Sequence, residues 1–479
     1  MKRLYKELEN FRKEDYYPFH MPGHKRNPLS VDGSFPFDRD ITEIEGFDNL
    51  HHPKGIIKEA QENLAKLYGT TESFFSVNGS TAALLSAISA SVKKGGRILI
   101  ARNCHKAVYH GIYLRDLIPT YIYPQTDSVL GINGGICTSD VEKCLKENRD
   151  IEAILITSPT YDGVVSDVGK IAEIAHSYGI PLIVDEAHGA HFRYSDYFPV
   201  SAVESGADLV IQSFHKTLPS LTQTAVLHIC SGRVDREKVK RFMGIYQSSS
   251  PSYILMASID ACADKMEREG MEMFEGVTKD LSEARERLEK CRFVQLIKPE
   301  EIKRIPGVFD YDRSKLILST ERSGLNGPAL SRILYERYHI NIEMSTENYV
   351  LALAAAGDTR KGFLRLCEAI EEMDKEESLK QIEIKQKESH IFCQLLPMKR
   401  VMSIAQAMEA ESVSCPIEES AGKISAEFAY LYPPGIPIIV PGEQITGLFI
   451  RNVRRYMEQG LNLQGLCDNT NTVIRTVKE

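Results

Sequence analysis

The sequence predicts an α/β fold with a mainly parallel sheet, followed by a smaller α+β region. In the middle of the chain, short runs rich in Val, Ile and Leu alternate with segments of helical composition. Such strands indicate a sheet covered by helices on both faces. From about Leu296 the pattern becomes mixed, and 479 residues are too many for one small core. We therefore expect an N-terminal arm (1–45), a large domain (46–295) and a C-terminal region (296–479).

The predicted strands of the large domain each precede a helical or loop segment. They are SFFSV (73–77), RILIA (97–101), IEAILIT (151–157), PLIV before Asp185 and ADLVIQ before Ser213. The segments STAALLSAISASV, HKAVYHGIYLRD and GKIAEIAHSYG have helical composition. The last of them ends on the glycine expected just past a helix. This order predicts successive strand–helix units.

The C-terminal region predicts a second, smaller set of elements. SKLILST, INIEMST and YVLALAAAG are strand-like, GPALSRILYERY is helical, and TRKGFLRLCEAIEEMDKE predicts a helix capped by Asp358. The charged segment EESLKQIEIKQKES predicts a solvated connector. YPPGIPIIVPGE, from Tyr432 to Glu443, contains four prolines and predicts an ordered loop without a regular element.

Composition and charge exclude several classes of protein. The hydrophobic fraction of 43% and charged fraction of 26% are typical of a soluble globular protein, and a net charge of −8 gives no reason to expect nucleic acid. No apolar run approaches a membrane span, and the N-terminus lacks the apolar core of a signal peptide. The ten cysteines form no CxxC pair, which fits a reducing compartment. We expect a cytoplasmic protein without a membrane partner.

Polar residues follow five of the predicted strands. In an open α/β sheet, ligands bind outside the carboxyl ends of the strands, so these residues are expected to share one cleft. In chain order the candidates are Gly79, Ser80 and Thr81, then His105, then the segment SPTYDG, then Asp185, and finally Ser213, His215 and Lys216. Their joint placement is more informative than any one of them.

The first candidates predict a phosphate site. Gly79, Ser80 and Thr81 open a helix, whose free N–H groups and positive dipole end attract an anion. Taken alone, they would more often be an ordinary helix cap. Ser213 and His215 are candidates for further phosphate contacts, although singly such residues are more often structural.

The remaining candidates predict chemistry on a flat, cationic ring. Lys216 stands between two buried segments, and a lysine held away from water loses proton affinity and becomes nucleophilic. A buried Asp185 needs a cationic partner, and a protonated pyridine nitrogen would be one. The alternative is a structural aspartate that caps a helix or forms an ion pair with another residue. His105 is a candidate for stacking, or a core residue. Together with a phosphate clamp, these groups describe pyridoxal phosphate, joined to Lys216 as a Schiff base.

A metal site is the competing interpretation of the same region. Asp185, His188 and His191 are spaced at i, i+3 and i+6, as a metal triad could be. However, the chain leaves its strand here through small residues. The segment need not be helical, so the three side chains need not lie on one face. The sequence therefore predicts no metal.

Several ordered segments carry a resemblance to a known family. They are FHMPGHKRN (19–27), FDNLHHPKGIIKEAQ (47–61), VNGSTAALLSAI, RNCHKAVYHG, SPTYDGVVSD, VDEAHGAHF, SFHKTLPSLTQTAVLH, QSSSPSYILMASID and YPPGIPIIVPGE. On these segments the chain resembles the bacterial ornithine/lysine/arginine decarboxylases. The resemblance implies the aspartate-aminotransferase-like fold of type I pyridoxal phosphate enzymes, with a seven-stranded sheet in the large domain.

The resemblance also implies roles for individual residues. Lys216 holds the cofactor, Asp185 pairs with the ring nitrogen, Ala187 lies under the ring and His105 stacks on the opposite face. The phosphate is held by Ser80, Thr81, Ser213 and His215. His188 or Lys216 is the candidate proton donor to the α-carbon. Ser249 or Ser250 is expected to reach the site of a neighbouring subunit in a homodimer or larger homo-oligomer. Glu443 is expected to hold the distal cation of the substrate.

Substrate and assembly are less defined than the family. No receiver-like domain precedes MPGHK, so a short form with a dimer or tetramer is expected. Several relatives carry tryptophan at the position of His188 or near the substrate, and this chain has none. Arginine, giving agmatine, is the favoured substrate, with lysine or ornithine as alternatives. Another pyridoxal phosphate reaction, such as transamination or elimination, and a non-catalytic descendant stay open.

Overall fold

The computed structural model describes residues 2–14, 16–27, 33–127, 131–379 and 397–478, with the backbone alone for 377–379. Most of the predicted charged connector lies outside the described residues. The first eight strands are β1 (Glu72–Ser76), β2 (Arg97–Ala101), β3 (Ile118–Ile122), β4 (Ile151–Thr157), β5 (Val164–Val165), β6 (Leu182–Asp185), β7 (Leu209–Gln212) and β8 (Ala225–Ile229).

The main sheet confirms the predicted α/β architecture. Seven strands lie in the order β1-β8-β7-β6-β4-β2-β3. Strand β8 is antiparallel to both of its neighbours, and the other pairings are parallel. Strands β6 and β7 are buried at every residue, as expected for a sheet covered on both faces. The carboxyl ends of β1, β2, β4, β6 and β7 therefore meet at one edge.

Helices connect and cover these strands. They are α1 (Leu4–Phe11), α2 (Ile56–Tyr68), α3 (Gly79–Ser91), α4 (Lys106–Arg115), α5 (Thr138–Glu147), α6 (Val168–Ser177), α7 (Phe214–Thr217), α8 (Arg236–Tyr246) and α9 (Tyr253–Leu288). Helix α3 is buried along most of its length because it is apolar on nearly every side. The side chain of Asp167 accepts from the Lys170 N–H and so fixes the start of α6.

The next region forms a smaller antiparallel sheet. Its elements are β9 (Gln295–Leu296), α10 (Pro299–Ile302), β10 (Asp310–Tyr311), β11 (Lys315–Ser319), α11 (Gly327–Tyr338), β12 (Met344–Ser345), β13 (Tyr349–Leu353) and α12 (Arg360–Leu379). The order is β12-β13-β11-β9, while β10 pairs with β5 and ties this region to the large domain. The predicted domain boundaries stay a prediction.

Of two local predictions in this region, one was confirmed in part and one was wrong. Within the strand-like segment INIEMST, the strand β12 covers two residues. Helix α12 begins at Arg360, and the hydroxyl of Thr359 accepts from the Gly362 N–H at 3.4 Å. Asp358 is not the cap, because its carboxylate accepts from the Ala355 N–H at 2.7 Å instead.

The C-terminal segment contains α13 (Ile404–Glu409), β14 (Ser412–Pro416), β15 (Ala429–Leu431), β16 (Ile436–Ile439), α14 (Gly447–Glu458), β17 (Leu463–Gln464) and β18 (Val473–Val477). Strand β16 lies within the proline-rich segment, so the prediction of no regular element there was wrong. Because β16 is at the edge of its three-stranded sheet, Pro437 is tolerated within it. No helix in the described ranges is long and apolar enough to cross a bilayer.

Candidate active site

The strand ends at this edge of the sheet surround a cavity of about 250 Å³. Its lining includes ten of the residues predicted from the sequence. These are Gly79, Ser80, Thr81, His105, Asp185, Ala187, His188, Ser213, His215 and Lys216. The sheet topology thus brings together residues separated by more than a hundred positions.

The N-terminus of α3 forms one end of the cavity. Gly79 has a φ of +72°, a conformation that glycine adopts without strain, and it turns the chain from β1 into the helix. The hydroxyls of Ser80 and Ser213 are in hydrogen-bonding contact. The Nδ1 of His215 hydrogen-bonds to the carbonyl of Thr224 at 2.7 Å, which fixes its ring. Free N–H groups, two hydroxyls and a helix dipole form a site suited to a phosphate.

Lys216 lies on the short helix α7, directly after β7. Its Nζ is 2.9 Å from Nε2 of His188. Burial lowers the pKa of Lys216, although the nearby Asp185 carboxylate opposes this effect. Burial, reinforced by Lys216, also lowers the pKa of His188 well below its ordinary value. Burial thus favours the neutral form of both groups, and their contact allows them to share a proton.

Asp185 ends β6 and is only 3% exposed. Its Oδ1 accepts from the Ala187 N–H at 3.2 Å, and the carbonyl of Ala187 accepts in turn from the Ser213 N–H at 3.3 Å. Burial raises the pKa of Asp185, while the Lys216 ammonium opposes the rise. A buried carboxylate of this kind is stabilised by a cation placed in the cavity.

His105 also lines the cavity and directly precedes α4. Its Nδ1 accepts from the Ala107 N–H at 3.2 Å, so the ring also caps the helix. Burial, with a contribution from Lys216, lowers the pKa of His105 to about 4. Gly435, with a φ of +84°, packs against this ring, and a Cβ there would lie 3.3 Å from Nε2. A neutral, flat imidazole facing the cavity is suited to stacking.

The competing metal triad is not assembled. His191 is fully buried, and its Nε2 lies 3.3 Å from Oδ1 of Asp312. His188 contacts Lys216 instead. In the ranges that the structure describes, no group of three or more His, Cys, Asp and Glu side chains is placed to hold a metal ion.

The cavity residues fit pyridoxal phosphate. The α3 terminus and its hydroxyls match a phosphate, Asp185 matches a ring nitrogen and Lys216 matches an aldehyde. In addition, Oδ1 of Asn103 and Nδ1 of His188 are buried in the cavity lining with no hydrogen-bond partner among the described residues. Such orphaned atoms indicate that a ligand or ordered water completes the site.

Three predicted residues do not line the cavity. Ser249 and Ser250 are exposed in the loop before α9. Glu443 is fully buried, with Oε2 3.2 Å from Nη2 of Arg102 and 3.0 Å from the Val440 nitrogen. Arg102 pairs with Oε2 of this carboxylate, whereas Oε1 is buried without a hydrogen bond to another described residue. The predicted contact of Glu443 with the substrate stays a prediction.

The cavity also contains residues to which the sequence analysis gave no individual role. Tyr161 and Asp162 follow β4 within SPTYDG, a segment already expected at this cleft. Tyr432 and Pro434 enter from the proline-rich segment and were missed. No sequence pattern predicts how the C-terminal segment folds back over the large domain.

Comparison with protein families matches nearly the whole chain. Residues 2–362 match the family described as Orn/Lys/Arg decarboxylase, major domain, and residues 385–466 match its C-terminal domain. The chain is 35% identical over 483 residues to an arginine decarboxylase of Bacillus subtilis, which covers 99% of this chain and 98% of the relative. It is 34% identical to an arginine decarboxylase of Halalkalibacterium halodurans, over 96% of this chain and 94% of the relative.

A solved structure shares the fold. The Francisella novicida lysine decarboxylase aligns with a TM-score of 0.84 at 19% identity, covering 99% of this chain and 81% of that one. Structural similarity at this low identity shows the common architecture, and the substrate of each enzyme is set by its own site residues.

Proposed function

Because this chain belongs to the ornithine/lysine/arginine decarboxylase family, we propose that it decarboxylates arginine to agmatine with pyridoxal phosphate bound at Lys216. One observation carries the proposal. The buried amine of Lys216 shares a single cavity with the buried carboxylate of Asp185 and the N-terminus of α3. Lysine and ornithine are the alternative substrates within the same family.

The proposed cofactor site uses residues from four strand ends, those of β1, β2, β6 and β7. When bound, pyridoxal phosphate supplies a sink for the electrons released as carbon dioxide leaves. Ser80, Thr81, Ser213 and His215 hold the phosphate in this proposal, with Gly79 allowing the backbone to approach. Asp185 would keep the ring nitrogen protonated, and Ala187 and His105 would contact the ring. The buried position of Asp185 supports this role, because a carboxylate in a low dielectric binds a cation strongly.

Lys216 and His188 are the residues proposed to move the proton. The 2.9 Å contact lets the imidazole orient the amine and exchange a proton with it. His188 is buried and Lys216 is half-buried, so a proton held between them is partly shielded from bulk water. In this proposal, either His188 or Lys216 protonates the α-carbon after carbon dioxide departs.

Decarboxylation is favoured over transamination by the lining of the cavity. Aminotransferases of this fold use an arginine to hold the α-carboxylate, whereas a decarboxylase gains nothing from a tight clamp on the leaving group. The described residues around Lys216 include no arginine. A carboxylate bound there is therefore free to leave.

We also propose that the enzyme is a cytoplasmic homodimer or larger homo-oligomer. The N-terminal arm exposes large apolar side chains, with Tyr16, Tyr17, Phe19 and Met21 each more than 60% exposed. Clustered exposed apolar surface is typical of an interface between subunits. Ser249 or Ser250, exposed in this chain, would then reach the neighbouring site. The described cysteines are all free thiols, which suits a reducing compartment.

The test is a side-by-side assay on arginine, lysine and ornithine, each labelled in the α-carboxyl group. We expect labelled carbon dioxide from all active substrates, with the highest kcat/KM for arginine. Lys216→Ala is the matched control and should release none. Label retained in an amino or keto acid product would contradict decarboxylation.

A further inference from the structure

A second cavity continues from the one around Lys216. It has a volume of about 400 Å³ and is lined by the loop after β4, the segment around β12 and the C-terminal region. The residues that line both cavities are Asn133, Asp162, Tyr432, Pro434 and Ile436. A substrate held at Lys216 can therefore extend its side chain past these residues.

The junction of the two cavities contains a carboxylate that forms no ion pair among the described residues. The charge of Lys315 also acts on this carboxylate, but the Lys315 ammonium is itself paired with Asp312 at 2.7 Å. Asp162 is 8% exposed and lines both cavities. Its Oδ1 accepts from the Tyr349 hydroxyl at 2.6 Å. Its Oδ2 has no hydrogen bond to another described residue, and the carboxylate forms no ion pair within the described ranges. A buried carboxylate that faces a cavity in this way requires a cation to offset its desolvation.

The backbone holds Asp162 firmly in this position. The adjoining Gly163 has a φ of +96°, and a Cβ there would lie 2.7 Å from Cγ of Lys315. Only glycine allows the turn and this close approach, so the loop is fixed against β11. The side chain of Asp162 is thus preorganised, which lowers the entropy lost when a ligand binds.

A second carboxylate lies at the solvent-exposed rim. Glu343 lines the outer cavity and accepts a hydrogen bond from the Tyr161 hydroxyl. The Tyr161 ring packs against His188, with ring centroids 4.7 Å apart, and His188 contacts Lys216. Tyr161 therefore connects the rim to the reactive amine.

The third carboxylate of the outer cavity is already neutralised. Both oxygens of Glu347 lie within 2.7 Å of Nη2 of Arg455. Glu347 is therefore a matched control, since it is an acidic residue in the same cavity with its cation in place.

From these contacts we infer that Asp162, supported by Glu343 at the rim, is the receptor for the distal cation of the substrate. This assignment rests on the proposed function, and it is separate from the role predicted for Glu443, which stays a prediction. A guanidinium presents five N–H donors in a plane, so it can bond Oδ2 of Asp162 while its outer edge faces Glu343. The carboxylates would select a basic amino acid over a neutral one of similar length.

The experiment compares kcat/KM for arginine and for citrulline, whose side chain has the same length but no charge. A charge-assisted hydrogen bond in a buried site is worth a discrimination of about 10- to 100-fold. We expect Asp162→Asn to lower the arginine-to-citrulline ratio by about that factor. Glu343→Gln should lower it by no more than about 5-fold, because exposed charges interact weakly. Glu347→Gln should leave the ratio unchanged.

If Asp162→Asn lowered kcat/KM equally for arginine and citrulline, the inference would be overturned and Asp162 would have a structural role. If that variant is too slow to assay, calorimetric titration with agmatine replaces the ratio, and an affinity equal to that of the wild type would likewise overturn it. Circular dichroism checks that each variant is folded. A wild-type enzyme that decarboxylates no basic amino acid would overturn the proposed function itself, a result distinct from an unchanged ratio.

Discussion

The buried ion pair between Arg102 and Glu443 gives a prediction that separates structure from substrate binding. The two side chains are 2% and 0% exposed, and their nearest charged atoms are 3.2 Å apart. Arg102 also donates to the carbonyl of Pro437 at 2.6 Å and to the Tyr109 hydroxyl at 3.1 Å. These contacts attach the proline-rich segment, which walls the cavity, to the end of β2.

Removing one partner leaves the other charge buried and unpaired, which costs about 3–5 kcal/mol. We expect Glu443→Leu to lower the free energy of unfolding by an amount near the upper end of that range. Glu443→Gln should fall near the lower end, because its amide oxygen can still accept from Arg102. The double variant Arg102→Met/Glu443→Leu should be less destabilised than the sum of the single variants by about 1–3 kcal/mol, since the two residues share one interaction.

The assay is denaturant unfolding followed by circular dichroism, because the chain has no tryptophan to report by fluorescence. The same variants are compared for KM with arginine. A Glu443→Gln protein with unchanged stability and a selectively raised KM would refute this reasoning. It would show that Glu443 faces the substrate, as the sequence suggested.

Other predictions address the chemistry directly. Lys216→Ala should lower kcat at least about 1,000-fold without changing the circular dichroism spectrum, and a smaller loss would argue against a nucleophilic role. Asp185→Ala should still bind some cofactor but should lower kcat by about 100- to 1,000-fold, because a buried charge loses its partner. Near-normal turnover would show that Asp185 takes no part in the mechanism. Burial raises the pKa of Asp162 above that of an ordinary aspartate. The KM for arginine should therefore rise as the pH falls through this raised pKa, because the protonated carboxyl group no longer attracts the cation. The Asp162→Asn variant should lose this pH dependence, and its persistence would point to another group.

The local pattern of apolar residues along the chain was sufficient to predict the main sheet. The structure has strands at Arg97–Ala101 and Ile151–Thr157, the same bounds that the sequence predicts. Continuous apolar runs of this length that alternate with helices are best interpreted as buried strands. Because the carboxyl ends of parallel strands share an edge, the clustering of Asp185 and Lys216 followed from topology.

Contacts between distant segments could not be predicted in this way. Arg102 and Glu443 are separated by 341 positions, and Tyr349 and Asp162 by 187. Neither pair has a periodicity or spacing that would reveal it. Strand β16 was missed for a related reason, because the proline within it is tolerated only at a sheet edge, and edges are set by tertiary pairing. The predicted roles of the cavity residues stay predictions until they are measured.

The most direct test of the account is reduction of the native enzyme with borohydride, followed by mapping of the modified peptide. We predict a phosphopyridoxyl label on Lys216 in the peptide that joins β7 to β8. A label on any other lysine, or none in active protein, would contradict the assignment on which the proposed function depends.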